Sequence, residues 1–163
     1  MSIHEKRTIA ELIARYQLEP TLRDIYVEGE LDKGVFNWSL GADERSRATI
    51  YEISTVEMPT EEILRLGLHD NNRGRVITLA HILGQHLPHN SAQITCVVDT
   101  DLDSILGVEH RHDFLLLTDY TCLEMYLYNP HTIHKFLQVA IHNFPKPAEV
   151  VLQELLLHLK VSF

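Results

Sequence analysis

The chain has 163 residues, 45% hydrophobic and 23% charged, enough for one globular domain with a single sizeable core. Its formal net charge of −9 excludes a general nucleic-acid coat protein, which needs a basic excess, but not a nuclease whose carboxylates hold cations. No run nears the roughly 18 apolar residues of a membrane span, the start "MSIHEKRTIAELIARYQ" lacks an apolar signal core, and Cys96 and Cys122 in apolar stretches make no disulfide framework, so a cytoplasmic chain with no membrane contact is expected.

Ile9, Leu12, Ile13 and Tyr16 form one apolar helical stripe, opened by a Thr8/Glu11 capping pattern and closed by Pro20. "DIYVEG" reads as a short strand broken at Gly29, and "DKGVFNWSLG" as a short helix with Trp38 in the core. "ATIYEIST" is a second strand. Residues 58–74 are mostly loop, with a short helix near Glu61–Leu66. A stronger helix carries Val76, Leu79, Ala80, Leu83 and Leu87 on one face and stops at Pro88. "QITCVVDTDLD" gives a β-branched strand suited to cover on both faces, and "FLLLTD" repeats the type. Three helical segments follow, near Thr121–Tyr128, Thr132–His142 and Ala148–Leu159; the last aligns Leu152, Leu155, Leu156 and Leu159 for a core or a second chain.

Strands alternating with helices predict an α/β fold, an open and mostly parallel sheet flanked by helices. Residues 1–163 are expected to form a single domain, its core at about 22–128 and a helical part at 130–163. Three strands carry acids at their carboxyl ends, the edge where such sheets hold their sites. Asp99 and Asp101 stand two apart, so on an extended backbone both point the same way, and Asp103 continues the series if the strand does. Like charges on one face repel, and hard divalent cations remove that cost. With the strand from Ile25 beside the strand from Ile94, Glu28 meets Asp99 and Asp101 at one edge.

"VEGELD", "VVDTDLD" and "LLLTDYTCLE", in that order, resemble the Toprim domain of topoisomerases, bacterial primases and OLD-type nucleases. They are nearer to Toprim-like bacterial proteins that act in anti-phage defence with an ABC-type ATPase. The resemblance covers about Asp24 to Leu127 and implies a Rossmann-like core and a Mg2+- or Mn2+-dependent nuclease. Glu28 is then metal ligand and general acid/base, Asp99 and Asp101 are metal ligands, and Asp32 and Glu124 are candidates for a second metal. The glycine that topoisomerases and primases place soon after the aspartate pair comes here only at Gly107. Lys33, Arg73 and Arg75 are the local candidates for substrate phosphate, though Arg73 and Arg75 also read as solvated charges at a helix start.

The bland alternatives are specific. Glu28 pairs with Lys33 or Arg23, Asp32 serves the helix N-terminus, and the aspartates after "CVV" cap a turn. Competing functions are a catalytically silent interaction module, which includes a homodimer through the last helix, and a haloacid-dehalogenase-like phosphatase using "VVDTDLDS". Too few residues follow that strand for the rest of a dehalogenase-like sheet.

Overall fold

The computed structural model describes residues 6–41, 47–88, 94–142 and 144–161, and the chain clusters into two compact units, Met1–Thr121 and Cys122–Phe163. Residues 1–5, where the segment read for a signal begins, and the Leu159 side chain lie outside the described residues.

The first unit opens with β1 (Arg7–Thr8) and α1 (Ile9–Leu18). The capping box forms: Thr8 N–H donates to Glu11 Oε2 at 2.7 Å, and Glu11 N–H to Thr8 Oγ1 at 3.3 Å. Two helix-start donors that would otherwise be orphaned are thereby satisfied. β2 (Asp24–Val27), α2 (Glu30–Ser39) and β3 (Thr49–Glu52) follow. The third strand is shorter than its apolar run because a 3-10 turn takes Ile53–Thr55. β4 (Val56–Glu57) pairs in parallel with β1. Next come α3 (Thr60–Arg65) and α4 (Asn72–His86), which starts ahead of its apolar stripe because Asn71 Oδ1 caps Gly74 N–H at 2.8 Å. β5 (Ile94–Val98), the short α5 (Asp103–Leu106) and β6 (Leu115–Leu117) complete the unit.

The main sheet has the order β3-β2-β5-β6, every neighbouring pair parallel. Tyr26 lies between Tyr51 and Cys96 in register. Both faces are covered, as the apolar runs require. One face packs Tyr26, Cys96 and Val98 with Leu12 and Tyr16 of α1 and Val76, Ile77, Leu79, Ala80 and Leu83 of α4. The other packs Val27, Ile50 and Val97 against Phe36 and Leu40. Residues of α2 are otherwise outside the core, and Trp38 is 43% exposed. The expected core position for Trp38 is therefore corrected: α2 turns only a narrow stripe to the sheet.

The amino end of β2 carries a buried polar network. Asp24 is 2% exposed, and its Oδ2 accepts the Tyr16 hydroxyl at 2.8 Å. Tyr16 has one proton to give, so Tyr26, 2.9 Å away, must be the donor to Tyr16. Arg15 Nη2 stands 3.6 Å from Asp24 Oδ2. Burial, with these neighbours, pushes the Tyr16 hydroxyl far above its ordinary range and Tyr26 up to about 12, so both stay protonated donors.

The second unit holds a 3-10 segment (Leu123–Leu127), α6 (Pro130–Phe136) running into a π turn (Leu137–Ile141), and α7 (Ala148–Val161). Leu123, Leu137 and Ala148 are buried. Leu155 and Leu156 are 40% and 41% exposed. The core alternative for that stripe is thus corrected: the chain itself leaves the stripe half uncovered.

Candidate functional site

The chain passes from β2 to β3 on one side of the sheet and later to β5 on the other. The crevice between the carboxyl ends of β2 and β5 is therefore a topological switch point, where open parallel sheets take their ligands.

Glu28 stands one residue past β2 and Asp99 one past β5, so the parallel pairing of the strands brings them together. Glu28 Oε1 accepts Asp99 N–H at 3.4 Å. Asp32, in the first turn of α2, turns back so that its Oδ2 accepts Gly29 N–H at 3.0 Å, which is the helix-start role its position allows. Burial pushes the Glu28 carboxyl up to about 7; the Asp99 and Asp32 carboxylates add to this, against the Asp99 N–H and Arg73, which pull it down. The pairings that would have made Glu28 ordinary do not form. Lys33 Nζ lies 3.3 Å from Glu52 Oε1, and Arg23 Nη1 donates to Leu22 O at 2.7 Å.

Beyond Val98 the extended backbone stops, which corrects the expectation that Asp99, Asp101 and Asp103 form one same-facing series. Asp101 is left-handed at φ 49, and Asp103 begins α5. This turn is tied to the segment after β6: Thr100 N–H donates to Thr118 Oγ1 at 3.1 Å, and Asp101 N–H to Thr121 O at 3.2 Å. Arg73, in the first turn of α4, closes the turn from the other side. Its Nε is 3.1 Å from Asp101 Oδ2, its Nη2 bonds Asp103 Oδ2, and both nitrogens reach Asp99 O at 3.3 Å. His110 Nε2 adds a contact to Asp103 Oδ2 at 3.5 Å.

Arg73 is therefore no solvated charge but an 18% exposed counter-ion for two aspartates. Arg75 is paired with Asp70, Nε to Oδ1 at 2.7 Å, and Lys33 with Glu52, so all three phosphate candidates hold carboxylates. Glu124 is an exposed residue of the second unit.

Among the described residues, no three His, Cys, Asp or Glu side chains converge to hold a metal ion as they stand. The oxygen donors of Glu28 and Asp99, with Asp32 beside them, nonetheless suit a hard cation, because Mg2+ commonly takes one or two carboxylates and completes its shell with water and substrate phosphate. The Glu28 carboxyl is raised first by burial and only secondarily by the neighbouring Asp99 and Asp32 carboxylates, and a carboxyl so raised in a crevice marks a candidate functional position. Asp101 and Asp103 fall outside that set while Arg73 holds them.

Sequence reasoning missed the Arg73 clamp and the Thr118 anchor. The one signal was the placement of Arg73 in the first turn of a helix, two residues after its Asn71 cap. Compared with protein-family models, curated proteins and solved structures, the chain matches none of them.

Proposed function

We propose that the chain is a Mg2+- or Mn2+-dependent phosphodiesterase acting on nucleic acid, with Glu28 and Asp99 at its centre. The observation that carries this function is the meeting of Glu28 and Asp99 across adjacent parallel strands at the switch point, 3.4 Å from carboxylate to backbone N–H. A bound divalent cation would supply charge neutralisation for the phosphate and a more acidic water. Glu28, Asp99 and Asp32 would hold it. In the metal-free protein burial pushes the Glu28 carboxyl up to about 7; a bound cation would draw it down and favour the carboxylate form that a metal ligand or general base needs.

The likeness of "VEGELD", "VVDTDLD" and "LLLTDYTCLE" to Toprim domains extends this function to a nuclease of anti-phage defence working with an ABC-type ATPase. The half-exposed leucines of α7 favour a protein contact in addition, with a second copy or with that partner. Cleavage of end-labelled DNA and RNA by the wild type, Glu28→Gln and Asp99→Asn, with Mg2+, Mn2+ or EDTA, tests the activity. Metal-dependent cleavage that falls roughly a hundredfold or more in Glu28→Gln is expected. Undiminished cleavage in that variant overturns it.

A further inference from the structure

We propose that His81 and His112 form a separate metal site, one for a nitrogen-seeking divalent cation of the zinc class rather than for Mg2+. It is independent of the Glu28 crevice and stands whether or not that reading does.

His81 lies within α4, and His112 in the segment between α5 and β6, 31 positions away. Their Nδ1 atoms stand 3.4 Å apart. That is long for a hydrogen bond, which is commonest at about 2.9–3.0 Å. It is the spacing that one tetrahedral ion imposes on two ligands: nitrogens about 2.0–2.1 Å from zinc lie about 3.3–3.4 Å from each other. The rings give a second measure. Two imidazoles aimed through Nδ1 at one such ion set their centroids about 5 Å apart. The His81 and His112 centroids are 5.0 Å apart, edge to face at 75°.

Both imidazoles stand on fixed backbone. His81 sits between buried Ala80 and Ile82 on the helix. His112 O accepts Leu115 N–H at 3.0 Å, and Phe114 O accepts Cys96 N–H at 2.7 Å, which ties the segment to β5. His81 and His112 are themselves half-buried, so an ion and its waters can reach them. Gln85, one turn on from His81, sets the tautomer. Its Nε2 stands 2.9 Å from His81 Nε2; placed so, it donates there, and His81 Nδ1 carries the proton. Turned over, the same amide accepts Nε2–H through its oxygen and leaves Nδ1 a lone pair for the ion, the support that ligating histidines need. His110 is engaged elsewhere, 3.5 Å from Asp103 Oδ2. The described residues bring no third ligand, so water completes the shell. Imidazole suits Zn2+, Ni2+ or Cu2+, whereas Mg2+ takes oxygen ligands.

Calorimetric titration of the full chain with ZnCl2, MgCl2 being present in excess, tests the site. The wild type is compared with His81→Gln, His112→Gln, Gln85→Ala, Glu28→Gln and His134→Gln, the last a control on an exposed histidine. His81→Gln and His112→Gln are each expected to bind zinc at least about tenfold more weakly, and Gln85→Ala about tenfold more weakly. Glu28→Gln and His134→Gln should stay within about twofold of the wild type.

A wild type that takes up no zinc overturns the proposal, as does uptake that neither His81→Gln nor His112→Gln weakens. Uptake lost in Glu28→Gln but kept in His81→Gln assigns the ion to the crevice and overturns this site alone. If the histidine variants do not fold, nitrogen-15 NMR of the wild-type imidazoles decides. The Nδ1 resonances of His81 and His112 should move together along the zinc binding curve, and resonances unmoved at saturation overturn the proposal.

Discussion

Glu28 accepts the backbone N–H of Asp99 at 3.4 Å, a contact between residues 71 positions apart that only the parallel pairing of β2 and β5 can make. It leaves a half-buried carboxyl beside two others, and the pH dependence of stability follows. The folded state holds the Glu28 proton up to about 7, against an ordinary value of 4.5. Between those values the folded state binds more protons than the unfolded, so in metal-free protein stability falls as pH rises through that window.

Glu28→Gln, which mimics the protonated form, should therefore match the wild type near about pH 4 and exceed it near about pH 8. The gain is expected to be on the order of 1 kcal/mol, reduced by solvent screening of the exposed part of the group. Urea melts in EDTA across that range check it. Equal stability at the alkaline end would show that the acid cluster costs nothing.

Divalent metal should reverse that penalty. A cation that binds only the folded state adds about 2.7 kcal/mol at a hundredfold excess over its Kd. The melting temperature of the wild type should rise in MgCl2 or MnCl2, and the rise should vanish in Glu28→Gln and Asp99→Asn. A flat melting temperature in the wild type would favour the silent interaction module.

Tyr16→Phe removes the 2.8 Å hydrogen bond to buried Asp24 and strands the Tyr26 hydroxyl that donates to Tyr16. An unsatisfied buried carboxylate oxygen costs about 1–3 kcal/mol. Thermal melts should show a loss of that size with the metal response intact, because the network lies at the opposite end of β2 from Glu28.

The glycines of α4 should respond with opposite signs. A Cβ at Gly74 would meet the His69 carbonyl oxygen at 2.1 Å, while one at Gly84 meets nothing within 4 Å. Gly74→Ala is expected to cost about 1–3 kcal/mol by overpacking and to disturb Arg73 next to it. Gly84→Ala should add about 0.5–1 kcal/mol through helix propensity. Equal melting temperatures for the two variants would contradict the close approach at residue 74.

Local chemistry made much of this fold legible. The Thr8/Glu11 box and the stripe through Leu12 and Tyr16 specify α1 by themselves, and the continuous run before Asp99 specifies a strand covered on both faces. The meeting of Glu28 with Asp99 followed from strand order at the carboxyl edge. What spacing could not reveal was where extended backbone ends. Asp101 takes a left-handed conformation, which aspartate tolerates better than most side chains, and that breaks the two-residue periodicity. The Arg73 clamp spans 30 positions to Asp103 and has no local signature. Trp38 misled because a tryptophan on a helix reads as core, whereas α2 packs through Phe36, with Leu40 just past its end.

β2 is a strand of four residues, DIYV, that begins with a buried acid and is followed at once by another, Glu28. The first is fastened by Tyr16 and Arg15, and the second faces Asp99. Such a strand works as a measured spacer, setting the two acids about 13 Å apart along the chain at roughly 3.3 Å per residue. Lengthening or shortening it by one residue would turn every following side chain to the opposite face. Either Asp24 would leave its hydroxyl or Glu28 would leave the crevice. Substitutions of similar volume at Ile25 or Val27 are tolerable on these terms, but an insertion anywhere from Asp24 to Glu28 is not.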